Sequence, residues 1–246
     1  MGKVPKKAFV LAAGKGERMR PLTDNCPKPL LYVGGRTMLD RALDALEEAG
    51  VEEVVVNLYY LPQMIEEHLK TRKTPKITFS HETELLETGG GVKKALAFFG
   101  DEPFFVLNAD VVWTDGANGS TLKGMAEKWD PAKMDVLFLL HTTQNLPAYN
   151  GKGDYYLPEG SDTPQFRELS EKPANYIFAG PRICKPSIFD GAPEGSFSFL
   201  ELFHNAEKAG RLAAFRHEGD WHHVGTPEAL EETNRILASQ SKKRAP

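Results

Sequence analysis

The sequence predicts an α/β protein whose core is a mostly parallel, doubly wound sheet. Short β-rich runs alternate with helical patterns through about the first 140 residues, which is the order of elements that such a sheet requires. A chain of 246 residues with 41% hydrophobic side chains can bury the core of one large domain. The sequence contains no internal repeat and no long linker, so we predict a single domain over residues 1–246.

The elements of the first half follow from hydrophobic periodicity. The apolar run at residues 8–12 is typical of a buried strand. Residues 37–49 place their apolar side chains on one helical face, and Gly50 provides the stop. The same criteria predict strands at residues 54–58, 77–79, 104–107 and 136–140, and helices at residues 62–69, 92–99 and 122–129.

The pattern changes after residue 141, where glycine- and proline-rich turns separate shorter runs. We predict a small added β-rich lobe, with strands at residues 154–157, 166–169 and 176–178. A helix is expected at residues 199–209. A last helix begins at Thr226-Pro227-Glu228, where Thr caps, Pro takes the first helical position and Glu faces the helix dipole. Residues 239–246 are expected to form a disordered tail.

Composition excludes several classes of protein. Thirty Lys and Arg against 34 Asp and Glu give a net charge of −4, which argues against a generic binder of nucleic acids or anionic membranes. No stretch approaches the roughly 20 apolar residues that a membrane helix needs. Cys26 and Cys184 are isolated and fit no metal-ligand spacing, as is typical of a reducing cytoplasm, so we predict a cytoplasmic protein.

A glycine loop with basic residues follows the first predicted strand. It reads Leu-Ala-Ala-Gly-Lys-Gly-Glu-Arg-Met-Arg-Pro-Leu-Thr from residue 11, and Pro-Lys-Pro-Leu follows from residue 27. Gly14 and Gly16 let backbone N–H groups approach a polyphosphate, and positive charge comes from Lys15, Arg18 and Lys28. The spacing matches neither a Walker loop nor a dinucleotide fingerprint. A plain turn with solvated basic side chains is therefore the alternative.

The predicted strand at residues 104–107 leads into Asn108-Ala109-Asp110. Ligands of open parallel sheets bind beyond the carboxyl ends of the strands. A carboxylate there, opposite a phosphate loop, suits Mg²⁺, which proteins bind through one or two carboxylates plus substrate oxygens. The alternative is a strand-ending Asp that caps the next turn.

Together these motifs resemble the signature of the sugar-1-phosphate nucleotidyltransferases, and the resemblance extends over nearly the whole chain. It implies a Rossmann-like three-layer α/β/α fold in which residues 1–140 bind a nucleoside triphosphate and residues 141–238 bind the sugar. The activity it implies is transfer of a nucleotidyl group to a sugar 1-phosphate, with release of pyrophosphate. The cofactor it implies is Mg²⁺, with Mn²⁺ or another divalent metal as the alternative.

The resemblance also implies roles for individual residues. Arg18 would stabilise the β- and γ-phosphates of the leaving pyrophosphate, Lys28 would contact the α-phosphate or the sugar phosphate, and Asp110 would hold the metal. In the sugar lobe, Glu171 would bond sugar hydroxyls and Lys172 would hold the sugar phosphate. The remaining expected contacts are Ala12, Ala13, Gly14, Gly16, Glu82, Thr88 and Gly89 for the nucleotide, with the last three at the base, and Asn108, Ala179 and Gly180 for the sugar.

One position departs from the family pattern. The segment Trp221-His222-His223-Val224-Gly225-Thr226-Pro227 resembles Trp-x-Asp-x-Gly-Thr-Pro, in which the Asp is the second metal ligand, but His223 stands in its place. A neutral imidazole suits Mn²⁺, Co²⁺ or Zn²⁺ better than Mg²⁺. His223 can bind a metal directly, hold a metal-bound water, or contact phosphate when charged; we favour the water-mediated role.

Residues 87–91, 108–116 and 176–180 are most similar to the family branch that transfers UMP from UTP to N-acetylmuramate α-1-phosphate in bacterial cell-wall recycling. Phe178 could pack there against an N-acetyl methyl or a lactyl ether. The alternatives are guanylyl transfer to mannose 1-phosphate, and thymidylyl or uridylyl transfer to glucose 1-phosphate. A catalytically silent regulator that binds nucleotide sugars is the non-enzyme alternative.

Overall fold

The computed structural model describes residues 4–144, 146, 149, 151–168 and 172–244. In chain order its elements are β1 Lys7–Leu11, β2 Tyr32–Val33, β3 Arg36–Thr37, α1 Met38–Ala49, β4 Glu53–Leu58, α2 Pro62–Leu69, β5 Lys76–His81, α3 Glu87–Lys94, β6 Phe104–Asn108, β7 Val111–Trp113, α4 Thr121–Lys128, β8 Val136–Thr142, β9 Tyr155–Tyr156, β10 Gln165–Phe166, β11 Tyr176–Cys184, α5 Leu200–Lys208, β12 Leu212–Arg216, β13 Trp221–His223 and α6 Pro227–Arg244.

A nine-stranded mixed sheet forms the centre of the molecule. Its main path runs β10-β9-β11-β6-β1-β4-β5, and β8 joins β11 to β12. The strands β6, β1, β4 and β5 are parallel, whereas β11 is antiparallel to β6 and β8. The predicted α/β class with a mostly parallel sheet is confirmed. The strands β9, β10 and β11, which lie after residue 141, are paired within this same sheet.

Helices cover both faces of the sheet, because successive strand residues point to opposite sides. On β1, Ala8 and Val10 pack on the face covered by α1, α2 and α4, and Phe9 packs on the face covered by α3 and α5. The result is three layers with an apolar core on each side of the sheet. No helix in the described ranges is long and apolar enough to cross a membrane.

Local chemistry sets the ends of α1. The Thr37 side chain accepts the Asp40 N–H, and Gly50 ends the helix with φ of 92°, a left-handed conformation that glycine adopts without a steric cost. At α6, Thr226 accepts the Ala229 N–H at 3.3 Å. The stop at Gly50 and the cap at Thr226 were predicted from the sequence, because they depend on residues adjacent to the helix, whereas Thr37 was predicted as the first helical residue and is the N-cap instead.

Helix α3 begins earlier than predicted. Residues 89–91 lie inside the helix, not in a turn before it. The glycines allow close packing: a Cβ on Gly90 would lie 2.1 Å from the Gly195 carbonyl oxygen, and one on Gly89 would lie 2.4 Å from the Phe197 ring. Tertiary contact therefore overrides the weak helix propensity of glycine here.

The expected disordered tail is wrong for residues 239–244, which continue α6. Within this stretch Gln240 donates to Asp220 Oδ2 at 2.7 Å. Earlier in α6, Leu230 and Leu237 contact the apolar cluster that contains Met19, Val33 and Met38. Strand β11 is also longer than the predicted residues 176–178.

Candidate active site

A cleft of about 650 Å³ opens at the carboxyl edge of the parallel strands. Its walls include the loop after β1, the start of α3 and the segment that follows β6. Motifs that are distant in the sequence therefore meet at one surface, as expected for an open parallel sheet. The predicted site residues that line it are Ala12, Ala13, Gly14, Gly16, Arg18, Lys28, Glu82, Thr88, Asn108 and Asp110.

The loop after β1 offers backbone amides to this cleft. Gly16 has φ of 64°, and a Cβ there would lie 3.0 Å from the Lys28 Cβ and the Thr23 Cγ2. Thr23 fixes the loop by donating its hydroxyl hydrogen to the Gly16 carbonyl at 2.8 Å. Within the described residues, the amides of residues 13–16 have no protein acceptor. A run of such N–H groups suits an anion such as phosphate.

Asn57, which the sequence reasoning missed, ties this loop to the neighbouring strand β4. Its Oδ1 accepts the Ala12 N–H at 2.7 Å, and its Nδ2 donates to Glu82 Oε1 at 2.7 Å. The other Glu82 oxygen accepts the Leu86 N–H at 3.1 Å. The Ala12 amide is therefore already bonded, and both Glu82 oxygens hold protein donors. The available signal was a polar residue near the carboxyl end of a buried strand.

Asp110 and Lys28 form an ion pair at the floor of the cleft. Lys28 Nζ lies 2.7 Å from Asp110 Oδ2, and the two side chains are 10% and 32% exposed. Lys28 is held in a short 3₁₀ turn, Lys28–Leu30. Arg18 lies on another wall of the cleft and is exposed. The cleft lining therefore combines the Lys28–Asp110 pair with the exposed cations Lys15 and Arg18, and with the further carboxylates of Glu17, Glu82 and Glu87.

Strand pairing brings His223 close to Asp110, although His223 is not among the residues that line the cleft. Strand β13 is antiparallel to β7, and His223 is opposite Val111, the residue after Asp110. The imidazole lies over Gly225, since a Cβ on that glycine would be 2.6 Å from His223 Nε2. Partial burial lowers the pKa of His223; Asp110 raises it, and Lys28 and Arg18 lower it further. The side chain is therefore neutral at pH 7.

The family model described as "Nucleotidyl transferase" matches residues 7–240, which span both the cleft and the later strands. The chain belongs to the nucleotidyl transferase family. Within the family, it is 41% identical over 234 residues to an N-acetylmuramate alpha-1-phosphate uridylyltransferase of Caulobacter vibrioides, with 93% of this chain and 96% of the relative covered.

Two further similarities agree with this family assignment. A protein of the same name from Neisseria meningitidis serogroup B is 35% identical over 241 residues, which cover 95% of this chain and 99% of that protein. A crystal structure of UDP-glucose pyrophosphorylase complexed with UDP-glucose matches the fold with a TM-score of 0.77 and 20% identity, covering 96% of this chain and 99% of that one. This likeness confirms the Rossmann-like α/β architecture predicted from the sequence.

Some predicted site residues of this family member lie outside the cleft lining. The Gly89 N–H donates to the Phe197 carbonyl at 2.9 Å, so the expected backbone contact to a base is not offered by that amide. The Ala179 carbonyl accepts the Trp221 Nε1 hydrogen at 2.9 Å, and the Gly180 carbonyl accepts from Arg182. Lys172 is exposed and lines neither this cleft nor the cavity beside it. Glu171 lies outside the described residues.

That second cavity, of about 370 Å³, adjoins the cleft. The two share Thr88, Asn108 and Ser198 in their walls. The rest of the second wall comes from strands β9, β10 and β11 and helix α5, and most of its side chains are aromatic. Among these side chains, only Phe178 was predicted from the sequence as a contact for the sugar. No contiguous motif marks this wall, because its members come from separate elements.

Proposed function

We propose that the chain transfers UMP from UTP to N-acetylmuramate α-1-phosphate, giving the UDP-sugar and pyrophosphate. The observation that carries the proposal is the meeting, in one cleft, of the unpaired amides of residues 13–16 with Arg18 and the Lys28–Asp110 pair. The relatives from Caulobacter vibrioides and Neisseria meningitidis, which bear the name of this activity, support the choice of sugar and base.

The triphosphate would lie against the loop after β1. Its charged oxygens would accept from the amides of residues 13–16, and Arg18 would offset the negative charge on the β- and γ-phosphates as pyrophosphate leaves. Lys28, on the floor of the cleft, would contact the α-phosphate. These groups are held by the loop and its bond to Thr23, so they need little rearrangement at the moment of reaction.

The attacking group is the sugar phosphate. Its oxygen is already ionised at pH 7, so it needs no general base: it forms a new bond to the α-phosphorus while the bond between that phosphorus and the bridging oxygen of pyrophosphate breaks. Catalysis then consists of positioning and charge stabilisation. The second cavity is suited to the sugar, because it adjoins the cleft at Asn108 and Thr88.

The donor set fits a divalent cation that is bound together with the nucleotide. No group of three His, Cys, Asp or Glu side chains comes together as a metal site among the residues that the structure describes. Mg²⁺, however, commonly takes one or two carboxylates plus substrate phosphates, and Asp110 supplies one carboxylate in the phosphate cleft. When bound, the ion would offset the negative charge of the triphosphate. His223, near Asp110, would hold water on this ion.

A substrate panel tests the proposal. Pyrophosphate release is measured with UTP, GTP or dTTP, paired with N-acetylmuramate, N-acetylglucosamine, mannose or glucose 1-phosphate, in Mg²⁺ and in Mn²⁺. We expect the highest kcat/KM for UTP with N-acetylmuramate α-1-phosphate, by about 10-fold or more over every other pair. A maximum with GTP and mannose 1-phosphate would move the chain to the guanylyl branch. Release from no pair would favour a silent regulator.

A further inference from the structure

Arg182 is a buried cation in the wall of the second cavity. It lies on β11 and is 1% exposed. A bulge precedes it: β11 pairs with β8 at Phe178, opposite Leu140, and again at Arg182, opposite Phe138, so four residue steps on β11 correspond to two on β8. The two extra residues keep Phe178 and Arg182 on the same side, and both line the cavity.

The guanidinium is bonded to neutral oxygen atoms. Nη1 donates to Asn108 Oδ1 and to the Gly180 carbonyl, each at 2.8 Å. Nε is buried and has no partner among the described residues. Among the residues that the structure describes, none places a carboxylate oxygen within 4.0 Å of this side chain. Burial lowers the pKa of Arg182 to about 9, which still leaves it charged at pH 7.

Aromatic rings supply the other contacts of the cation. The guanidinium carbon lies 4.3 Å from the centroid of Phe199, 5.6 Å from that of Phe178 and 5.9 Å from that of Phe203. Such contacts are favourable but individually weak. They offset only part of the cost of burying a charge, which proteins ordinarily meet with an anion. The cavity wall is therefore prepared for a negatively charged group.

Asp154, whose carboxylate lines this cavity, already bonds to the backbone. Asp154 Oδ2 accepts the Phe178 N–H at 3.0 Å. Arg167, a second arginine in the lining, donates to the carbonyls of Gly153 and Glu168. The cavity thus offers a carboxylate for hydroxyl groups, aromatic faces for apolar groups, and a buried guanidinium.

We propose that Arg182 recognises a carboxylate on the sugar, so that the second cavity selects acidic sugar 1-phosphates over neutral ones. This inference rests on the proposed function, which places the phosphate of the sugar in the first cleft. Because that phosphate is then in the first cleft, the anion that contacts Arg182 must be a second charged group on the same sugar. The lactyl carboxylate of N-acetylmuramate is such a group. The planar fork of arginine matches a carboxylate with paired hydrogen bonds.

The test compares two sugars that differ by the lactyl ether. We expect the wild-type protein to prefer N-acetylmuramate α-1-phosphate to N-acetylglucosamine α-1-phosphate, and the Arg182→Gln variant to lose about 30-fold or more of that preference. Arg182→Lys should keep part of it, because it retains the charge and loses the fork. The matched control is Arg216→Gln, since Arg216 donates to the carbonyls of Pro158 and Ser161 and is not among the residues that line either cavity.

A change in the substrate separates recognition from a structural role. On the wild-type protein, the lactyl carboxamide analogue should lose about as much kcat/KM as the Arg182→Gln variant loses with the acid. On that variant, acid and amide should be used alike. If the variant does not fold, the wild-type comparison of acid with amide decides alone. Equal use of acid and amide by the wild type would overturn the inference, as would an equal loss on both sugars in Arg182→Gln.

These outcomes are distinct from failure of the proposed function. Transfer to neutral and acidic sugars at the same rate would leave the nucleotidyl transfer intact and overturn only the role of Arg182. Transfer to no sugar phosphate would overturn the proposed function, and this inference with it.

Discussion

The two neighbouring cavities are built in different ways. The first cleft rests on contiguous motifs: one loop supplies the amides of residues 13–16 and Arg18, and the next turn supplies Lys28. The second takes its wall from three strands and a helix, around a guanidinium packed on aromatic rings. The contrast suggests a division of labour, in which the backbone-built cleft serves the common phosphate chemistry and the side-chain-built cavity sets the choice of sugar.

If this division holds, damage to the first cleft should reduce turnover with every sugar. Replacing Asp110 should have the largest effect, since it removes the carboxylate that is proposed to hold the metal. We expect Asp110→Asn to lower kcat by roughly 100- to 1000-fold, with N-acetylmuramate and N-acetylglucosamine 1-phosphates alike. Pyrophosphate release measures this. The control is Asp101→Asn, since Asp101 lies before the amino end of β6, the strand that Asp110 follows. Near wild-type rates in Asp110→Asn would refute the role assigned to Asp110.

Arg18 offers a sharper comparison, because the same loop carries a similar residue outside the cleft. Arg18→Ala should lower kcat by about 100-fold, through loss of charge stabilisation at the leaving pyrophosphate. Arg20 Nε lies 3.4 Å from Asp24 Oδ1, and Arg20 is not among the residues that line the cleft. The kcat of Arg20→Ala should therefore stay within about 2-fold of wild type. Equal losses in both variants would show a general disturbance of the loop.

His223 tests the metal side of the first cleft. His223→Asp would add a second carboxylate near Asp110, and we expect about 10-fold less Mg²⁺ to be needed for half-maximal activity, with a smaller change for Mn²⁺. Because the pKa of His223 is lowered, acidification protonates it only below its ordinary range, and then adds positive charge beside Lys28 and Arg18. Unchanged metal titrations in the variant would exclude His223 from the ion's surroundings.

The smallest expected effects are on stability, and they separate the glycines of the loop after β1 from those of α3. Gly90 of α3 packs against Gly195, so Gly90→Ala should lower the free energy of unfolding by about 1–3 kcal/mol. A Cβ on Gly14 would meet open space within 4 Å and Gly14 has no positive φ, so Gly14→Ala should change stability by less than about 0.5 kcal/mol. Urea unfolding measures both. A larger loss of unfolding free energy in Gly14→Ala than in Gly90→Ala would mean that α3, not the loop, accommodates an added methyl group.

Local sequence signals predicted most of the fold and the first cleft. The strands β1, β4 and β6, the stop of α1 at Gly50, and the presence of Lys28 and Asp110 in one cleft all depend on short motifs and on the edge at which parallel strands end. The start of α3 could not be predicted, because its glycines are explained by contact with residues 195–197. Neither could Arg182, since an arginine within an apolar strand carries no motif, and the bulge that directs it depends on pairing with β8.

A crystal structure with Mg²⁺, a non-hydrolysable UTP analogue and N-acetylmuramate α-1-phosphate would test the division of labour most directly. We predict the triphosphate against residues 13–16, the ion about 2.1 Å from an Asp110 oxygen, and the sugar in the second cavity with its carboxylate on Arg182. A triphosphate bound away from this loop, with Asp110 turned from the ion, would contradict the assignment of the first cleft. A lactyl group directed away from Arg182 would contradict the role of the second cavity.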